Sequence, residues 1–279
     1  MKEPQGRRGK GGWAREVSQT AREVFERALG PRFCAATPLA VPVLSGLGVA
    51  CTLSYTYAKE KPSDWENKLP FISESGARMP MYAVFVALPG SGAVLFVLAC
   101  LLVADAQFTE LEHDHSNQLA SHNLCCSCFA PPHAIVTMLV TSVLGVLSLL
   151  LTVILSVDIY TLAHSLFSYA FFASLLITII LNLSFHNLRN RVHAFAFDEW
   201  ERPWVRVKRF LVAWPFVLIG VAAVCFATLS ADNYWQRYTV LHQLALVIGL
   251  LVAAASLRHD VIRGQQLRRC GADKGATEA

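Results

Sequence analysis

Six long apolar stretches run through the chain without a single Asp, Glu, Lys or Arg, and the polar residues gather between them. A helix that crosses about 30 Å of hydrocarbon needs roughly 20 apolar residues, because only internally hydrogen-bonded backbone is tolerated there. The stretches therefore predict six transmembrane helices, at about 39–57, 81–104, 133–157, 162–185, 210–231 and 238–257. Pro38 and Pro42 suit the first turns or a kink of span one, and Pro89 with Gly90 a kink in span two. Pro131 and Pro132 separate a polar, Cys-rich segment from span three, and Asp158–Thr161 makes a very short connection that folds spans three and four into an antiparallel hairpin. The fold class is all-α and polytopic. Residues 1–33 form a basic arm and an amphipathic helix, 34–262 the membrane domain, and 263–279 a tail expected to lack structure.

The basic residues set the orientation, since cytosolic flanks carry the excess of Lys and Arg. Of 24 such residues, eight precede span one, six lie between Arg189 and Arg209, and five follow span six, leaving five for the alternate segments. Both termini are thus expected in the cytosol. The segment 107–132 dissents: it should be cytosolic, yet it has no Lys or Arg and carries Glu110, Glu112 and Asp114. The basic, Gly-rich start leads into a charged helical pattern rather than a short apolar segment with a cleavage site, so span one is expected to direct insertion.

Composition agrees with a membrane class, with 54% hydrophobic and 16% charged residues against roughly 25% charged in ordinary globular domains. The formal charge of +4 is too small for a nucleic-acid partner. The eight cysteines form no regular external set, so no disulfide framework is indicated. From Trp13 to Leu29 apolar residues recur at helical spacing opposite Arg15, Glu16, Arg22, Glu23, Glu26 and Arg27. Behind Arg7, Arg8 and Lys10, this helix is expected either to lie on the cytosolic leaflet and favour anionic lipid or to remain a solvated arm. Asp198–Trp204, with two interfacial Trp residues, reads as a loop anchored at the membrane surface.

Before span two stands Leu69-Pro70-Phe71-Ile72-Ser73-Glu74-Ser75-Gly76, then Ala77-Arg78-Met79-Pro80 and an apolar run that includes Phe85. This segment resembles the Pro-Tyr-Ile-Ser-Asp-Thr-Gly signature in the first external loop of the DRAM (damage-regulated autophagy modulator) family. The relatives that share the fold of this family include the FGF-receptor-activating and PGAP-type proteins and the N-terminal region of a yeast cell-wall protein that remodels GPI lipids. Phe71, Glu74 and Ser75 replace Tyr, Asp and Thr, and Gln243 stands where the family has an acid in its last span, while Asp260 matches a terminal acidic position. The resemblance implies six spans, endomembrane residence (Golgi, lysosome or ER) or the plasma membrane, and a role in lipid organisation, lipid remodelling or autophagy-linked trafficking. Membrane lipids, and other membrane proteins, are the partners it implies.

Two readings of the motif stay open. Ser73, Glu74, Ser75 and Gly76 can form a capped turn that re-enters the membrane at Pro80, or Glu74 and Arg78, four apart, can face a zwitterionic head group. Polar side chains within the spans are few: His164, Asn182, His242 and Gln243, read as helix-to-helix hydrogen bonds or as part of a lipid or proton path. No Gly-x-Ser-x-Gly, phosphate loop or His-Glu-x-x-His is present, so no catalytic residue and no cofactor are expected. His113, His115, His122 and the cysteines offer one tight pair, Cys125-x-x-Cys128, without a matching second, and no metal is expected. The expectation is a non-enzymatic regulator or scaffold, with lipid flipping or accessory GPI-lipid remodelling as alternatives. Cys125, Cys126 and Cys128 beside a cytosolic span end are either S-palmitoylated or without special role. Palmitoylation predicts hydroxylamine-sensitive labelling by a palmitate analogue that disappears in the triple Cys→Ser variant; an unlabelled wild-type chain leaves the second reading.

Overall fold

In the computed structural model, residues 12–59, 76, 79–113, 130–155, 159–193, 201–228 and 231–277 are described. Among them seven long helices follow one another: α1 Gly12–Leu29, α2 Pro31–Lys59, α3 Met81–His113, α4 Pro131–Ile154, α5 Thr161–His193, α6 Glu201–Thr228 and α7 Ala231–Thr277. Five of these, α2, α3, α4, α5 and α7, are long and apolar enough to cross a membrane. The expected span at 210–231 falls on α6 and on residues 229–230, which lie outside the described residues. Large apolar side chains such as Val43, Leu47, Leu144, Leu147, Leu162 and Phe216 are exposed on the outside of the bundle, the reverse of a water-soluble helix pack and the arrangement that suits lipid contact.

Local sequence explains where the helices begin and turn. Pro131 and Pro132 occupy the first two positions of α4, where the missing N–H costs nothing, behind an extended Ala130. Between α1 and α2 the chain turns at Gly30, whose φ of 83° lies in the left-handed region and whose N–H bonds to Glu26 O at 3.0 Å. Open space surrounds that position, so it is the backbone angle that calls for glycine. The α4–α5 hairpin closes where Nδ1 of His164 meets Leu155 O at 2.8 Å. Pro38 and Pro42 sit inside α2, because the helix starts earlier than the span requires.

Packing centres on α3, which touches α1, α2, α4 and α7. From Leu102 to Phe108 every residue of it is buried, on all faces. The α2–α3 and α4–α5 pairs are the most extensive, the second tightened by Thr141 Oγ1 against Thr178 Oγ1 at 3.0 Å. By contrast α5 and α7 are joined through side chains more than by close backbones.

Two boundaries differ from the sequence reading. The segment expected to be a loop from residue 107 instead continues α3 to His113. The tail expected to be unstructured beyond 263 is helical to Thr277. At 47 residues α7 is about 70 Å long, more than twice the hydrocarbon thickness. Its extension packs back on the rest of the chain: Gln265 donates to Pro31 O at 2.9 Å, Arg268 reaches Asp105, and Gly264 faces Ala106 so closely that a Cβ would collide with it. The contacts that hold this segment come from α1, α2 and α3, far away in sequence. Gly264→Leu is expected to force α7 off α3 and to destabilise the bundle by about 1–3 kcal/mol, read as a lower midpoint for thermal unfolding in detergent; an unchanged midpoint would contradict the close approach.

Candidate functional site

The helices bring thirteen described polar side chains into one layer at the end of the bundle where α1 docks. The deepest group is built on Asp260 of α7. Lys208 of α6, 1% exposed at a position otherwise surrounded by protein, places Nζ 2.7 Å from Asp260 Oδ2. Asn182 of α5 donates to the same oxygen at 3.1 Å, and His186 Nε2 lies 2.9 Å from Oδ1 and 3.0 Å from Lys208 Nζ. An ammonium group can only donate and a carboxylate can only accept, so Nε2 stands between a donor and an acceptor, and the ring nitrogen that meets neither is Nδ1. That nitrogen has no hydrogen-bond partner among the described residues.

Two further tiers continue towards α1. Glu110 Oε1 accepts from Arg189 of α5 at 3.0 Å and from Arg263 of α7 at 2.6 Å. Asp105 Oδ2 accepts from Arg268 of α7 at 2.5 Å and lies 3.0 Å from Arg22 Nε of α1, an ion pair without hydrogen-bond alignment. Arg22 also holds Glu26 at 2.9 Å, and Arg15 pairs with Glu112. Burial opposes the charge on Arg22, but Asp105 and Glu26 outweigh it and raise its pKa above that of an ordinary guanidinium. Ion pairing therefore docks the amphipathic helix on α3, with Ala14, Ser18 and part of Phe25 facing inward and Trp13, Val17 and Val24 left exposed. The acidic end of α3, which breaks the pattern of basic flanks, is the counter-charge to arginines of α1, α5 and α7.

Beyond this layer, inside the bundle, lies an apolar cavity of about 130 Å³ between α2, α3, α4, α5 and α7. It runs from Phe85, near the start of α3, to Leu257, one turn short of Asp260. Val41, Ala93, Phe96, Val146, Leu175 and Val247 are typical of its wall, and Ser45 and Thr178 supply the hydroxyls. The Thr178 hydroxyl is already committed to Thr141 and to Ser174 O. Such a lining suits hydrocarbon, not a polar head group.

Of the residues singled out by sequence, Pro70, Phe71, Ile72, Ser73, Glu74 and Ser75 lie outside the described residues, as do Cys125, Cys126 and Cys128. Gly76 is buried against the ring of Phe85, which a Cβ would approach to 2.7 Å. Pro80 forms the turn before α3, exposed and after a cis peptide bond. His164 stands at the opposite end from the ionic layer, in the α4–α5 turn. Asn182 joins the layer through Asp260. For His242 and Gln243 the backbone belongs to α7 and the side chains lie outside what is described. Among the described residues no group of three His, Cys, Asp or Glu side chains stands close enough to hold a metal.

Asp105, Glu110, His186 and Lys208 escape a sequence reading because charges serve there only to mark where spans stop. Each lies within a few residues of an apolar run, but linear order does not say which of these groups will meet. Leaving one partner of a buried pair without the other costs about 3–5 kcal/mol, whereas replacing both by apolar groups is close to neutral. Lys208→Met and Asp260→Leu are each expected to lower the unfolding midpoint in detergent strongly, and the double variant less than the two losses combined. Additive losses would mean that the pair is not coupled.

No curated protein and no solved structure matches this chain. The family described as the Frag1/DRAM/Sfk1/Cwh43P N-terminal domain matches residues 31–245, from the first residue of α2 into α7. The match takes in the Leu69–Pro80 motif and the cavity walls on α2, α3, α4 and α5, while the cavity residues of α7, from Val247 to Leu257, lie outside it with Arg22, Asp260 and Arg268. The resemblance read from Leu69–Pro80 therefore holds over most of the molecule, and the chain belongs to the Frag1/DRAM/Sfk1/Cwh43P N-terminal domain family.

Proposed function

We propose that this chain is a non-enzymatic, six-span regulator of lipid organisation that retains a lipid chain in its central cavity. The observation that carries the reading is the cavity itself: about 130 Å³ of apolar space walled by five helices, inside a protein whose outer surface already lies in lipid. An engineered apolar cavity of roughly 150 Å³ stays dry and takes up benzene, so a stretch of acyl chain is the natural occupant here. The sixth span is α6, and the ionic layer, α1 and the far end of α7 face the cytosol. The distribution of Lys and Arg supports that orientation.

The family name adds autophagy-linked trafficking as a setting, with membrane lipids and neighbouring membrane proteins as partners, in an endomembrane or the plasma membrane. Retention is favoured over flipping by the wall of the cavity. A flipping path has to carry a head group through the hydrocarbon, and among the described residues the buried charged side chains, Asp105, Arg189, Lys208 and Asp260, gather at one end of the bundle. No catalytic constellation forms part of this reading.

Full-length protein extracted in mild detergent is expected to carry co-purifying lipid detectable by native mass spectrometry. Ala93→Phe or Val146→Phe, which fill the cavity, should reduce that lipid several-fold without loss of helicity, on the order of one to two factors of ten if the chain is excluded outright. Lipid-free wild-type protein, or equal lipid in folded filled variants, would sink the proposal. Reconstituted vesicles should show no movement of a fluorescent lipid between leaflets.

A further inference from the structure

Behind α5 lies a second cavity of about 130 Å³, between α5, α6 and α7, lined by Phe172, Ala173, Leu176, Leu211, Trp214 and Leu246 among others. Ile179 and Leu250 line both this cavity and the central one. The two spaces are therefore neighbours, divided by one pair of aliphatic side chains. On the α7 side α6 is tied down where Trp214 Nε1 donates to Ala245 O at 3.1 Å and packs on Gly249. On the α5 side, Lys208 meets His186 and Arg209 donates to Asn187 Oδ1 at 3.0 Å, both at the ionic end. Further along the same helices the side chains draw apart and the second cavity begins.

Towards the ionic end, next along the helix from the cavity residue Leu211, α6 is basic. Arg206 and Arg209, three apart on α6, are exposed, and among the described residues Arg209 has a neutral amide oxygen as its partner rather than a carboxylate. From Asn187 to Ile179 along α5 is about 12 Å at 1.5 Å per residue, within the about 15 Å depth of one hydrocarbon leaflet. An anion held at Arg209 would thus sit one leaflet depth from the wall between the cavities.

We propose that the two cavities take the two acyl chains of a single phospholipid, divided by the Ile179–Leu250 pair, with the phosphate against Arg209. This rests on the reading that the central cavity holds a lipid chain, and it adds the number of chains and the place of the head group. A two-chain lipid fits where a free fatty acid or a sterol does not: both cavities are apolar, adjacent and alike in volume, and Arg209, exposed on α6 and bonded to Asn187 of α5, stands at the ionic end of these helices. A guanidinium recognises phosphate by charge-assisted hydrogen bonds and releases an amide oxygen at small cost.

The test uses full-length protein in detergent micelles, native mass spectrometry, and three probes: dioleoyl phosphatidylglycerol, its single-chain lyso form, and dioleoylglycerol. Wild-type protein should retain the first about tenfold better than either of the others. Ala173→Phe and, as a second variant for the same cavity, Leu176→Trp should each reduce retention of the two-chain phospholipid to the level of the lyso form. Arg209→Gln should bring it to the level of dioleoylglycerol while leaving dioleoylglycerol itself unchanged. Circular dichroism and thermal unfolding establish that each variant is folded. Undiminished retention in both folded Ala173→Phe and Leu176→Trp, with loss in Ala93→Phe, overturns the two-chain proposal and leaves the single-chain reading standing. Equal retention of lyso and two-chain forms by the wild type overturns it as well. No retention of any probe removes both readings together.

Discussion

Every packing relation at the α1 end depends on the need to neutralise carboxylates that the fold has buried. Asp105, Glu110 and Asp260 stand where water is largely excluded, and a carboxylate there costs several kcal/mol unless a cation and further hydrogen bonds meet it. Each of the three draws its cations from at least one distant helix. Asp105 takes Arg22 and Arg268, Glu110 takes Arg189 and Arg263, and Asp260 takes Lys208, with His186 and Asn182 close by. These contacts tie α1, α3, α5, α6 and α7 together at one end, and the directional bonds leave little freedom in how those helices are spaced.

That clamp explains why the interior beyond it is not filled. Asn182 and Asp260 span the gap between α5 and α7 with side chains, so these two helices stay apart instead of closing backbone to backbone. Small residues, Gly92 and Ala93 on α3 and Ala253 and Ala254 on α7, then face the space left over. At the opposite end the α4–α5 turn, fastened by His164, and Phe85 against Gly76 set the other limit. An apolar cavity between two fixed ends is the outcome, and in a membrane the fluid able to enter it is lipid.

Much of the fold is legible in the chain because hydropathy alone dictates it. Charge-free runs of about 20 residues mark the apolar helices, the Pro pair at 131–132 marks the start of α4, and the periodicity from Trp13 to Leu29 marks α1 within a residue. The ends are less legible. The apolar pattern stops at Asp105 and at Arg258, but the helices do not, since a charged helical turn is stable wherever an opposite charge waits on a neighbour. For the same reason the acidic segment after span two looks anomalous in a count of basic flanks and becomes ordinary beside Arg15, Arg22, Arg189 and Arg263. The site was readable only at Asn182, from its polarity inside a span, and at Asp260, from the likeness to a family position. His186, Lys208 and Glu110 gave no comparable sign, because nothing in linear order says that residues 22, 78 or 153 positions apart will share one counter-charge.

By itself the sequence determined the class of the protein, the helices and the family. Insertion into hydrocarbon depends on the hydrophobicity of each segment taken alone, and that is a local property. Tertiary structure decided which charges are buried together, where α1 docks, how far α3 and α7 extend, and where the apolar space lies. Those outcomes are sums over pairs of helices, in which a residue's free energy is set by its neighbours across the bundle and not by its neighbours along the chain.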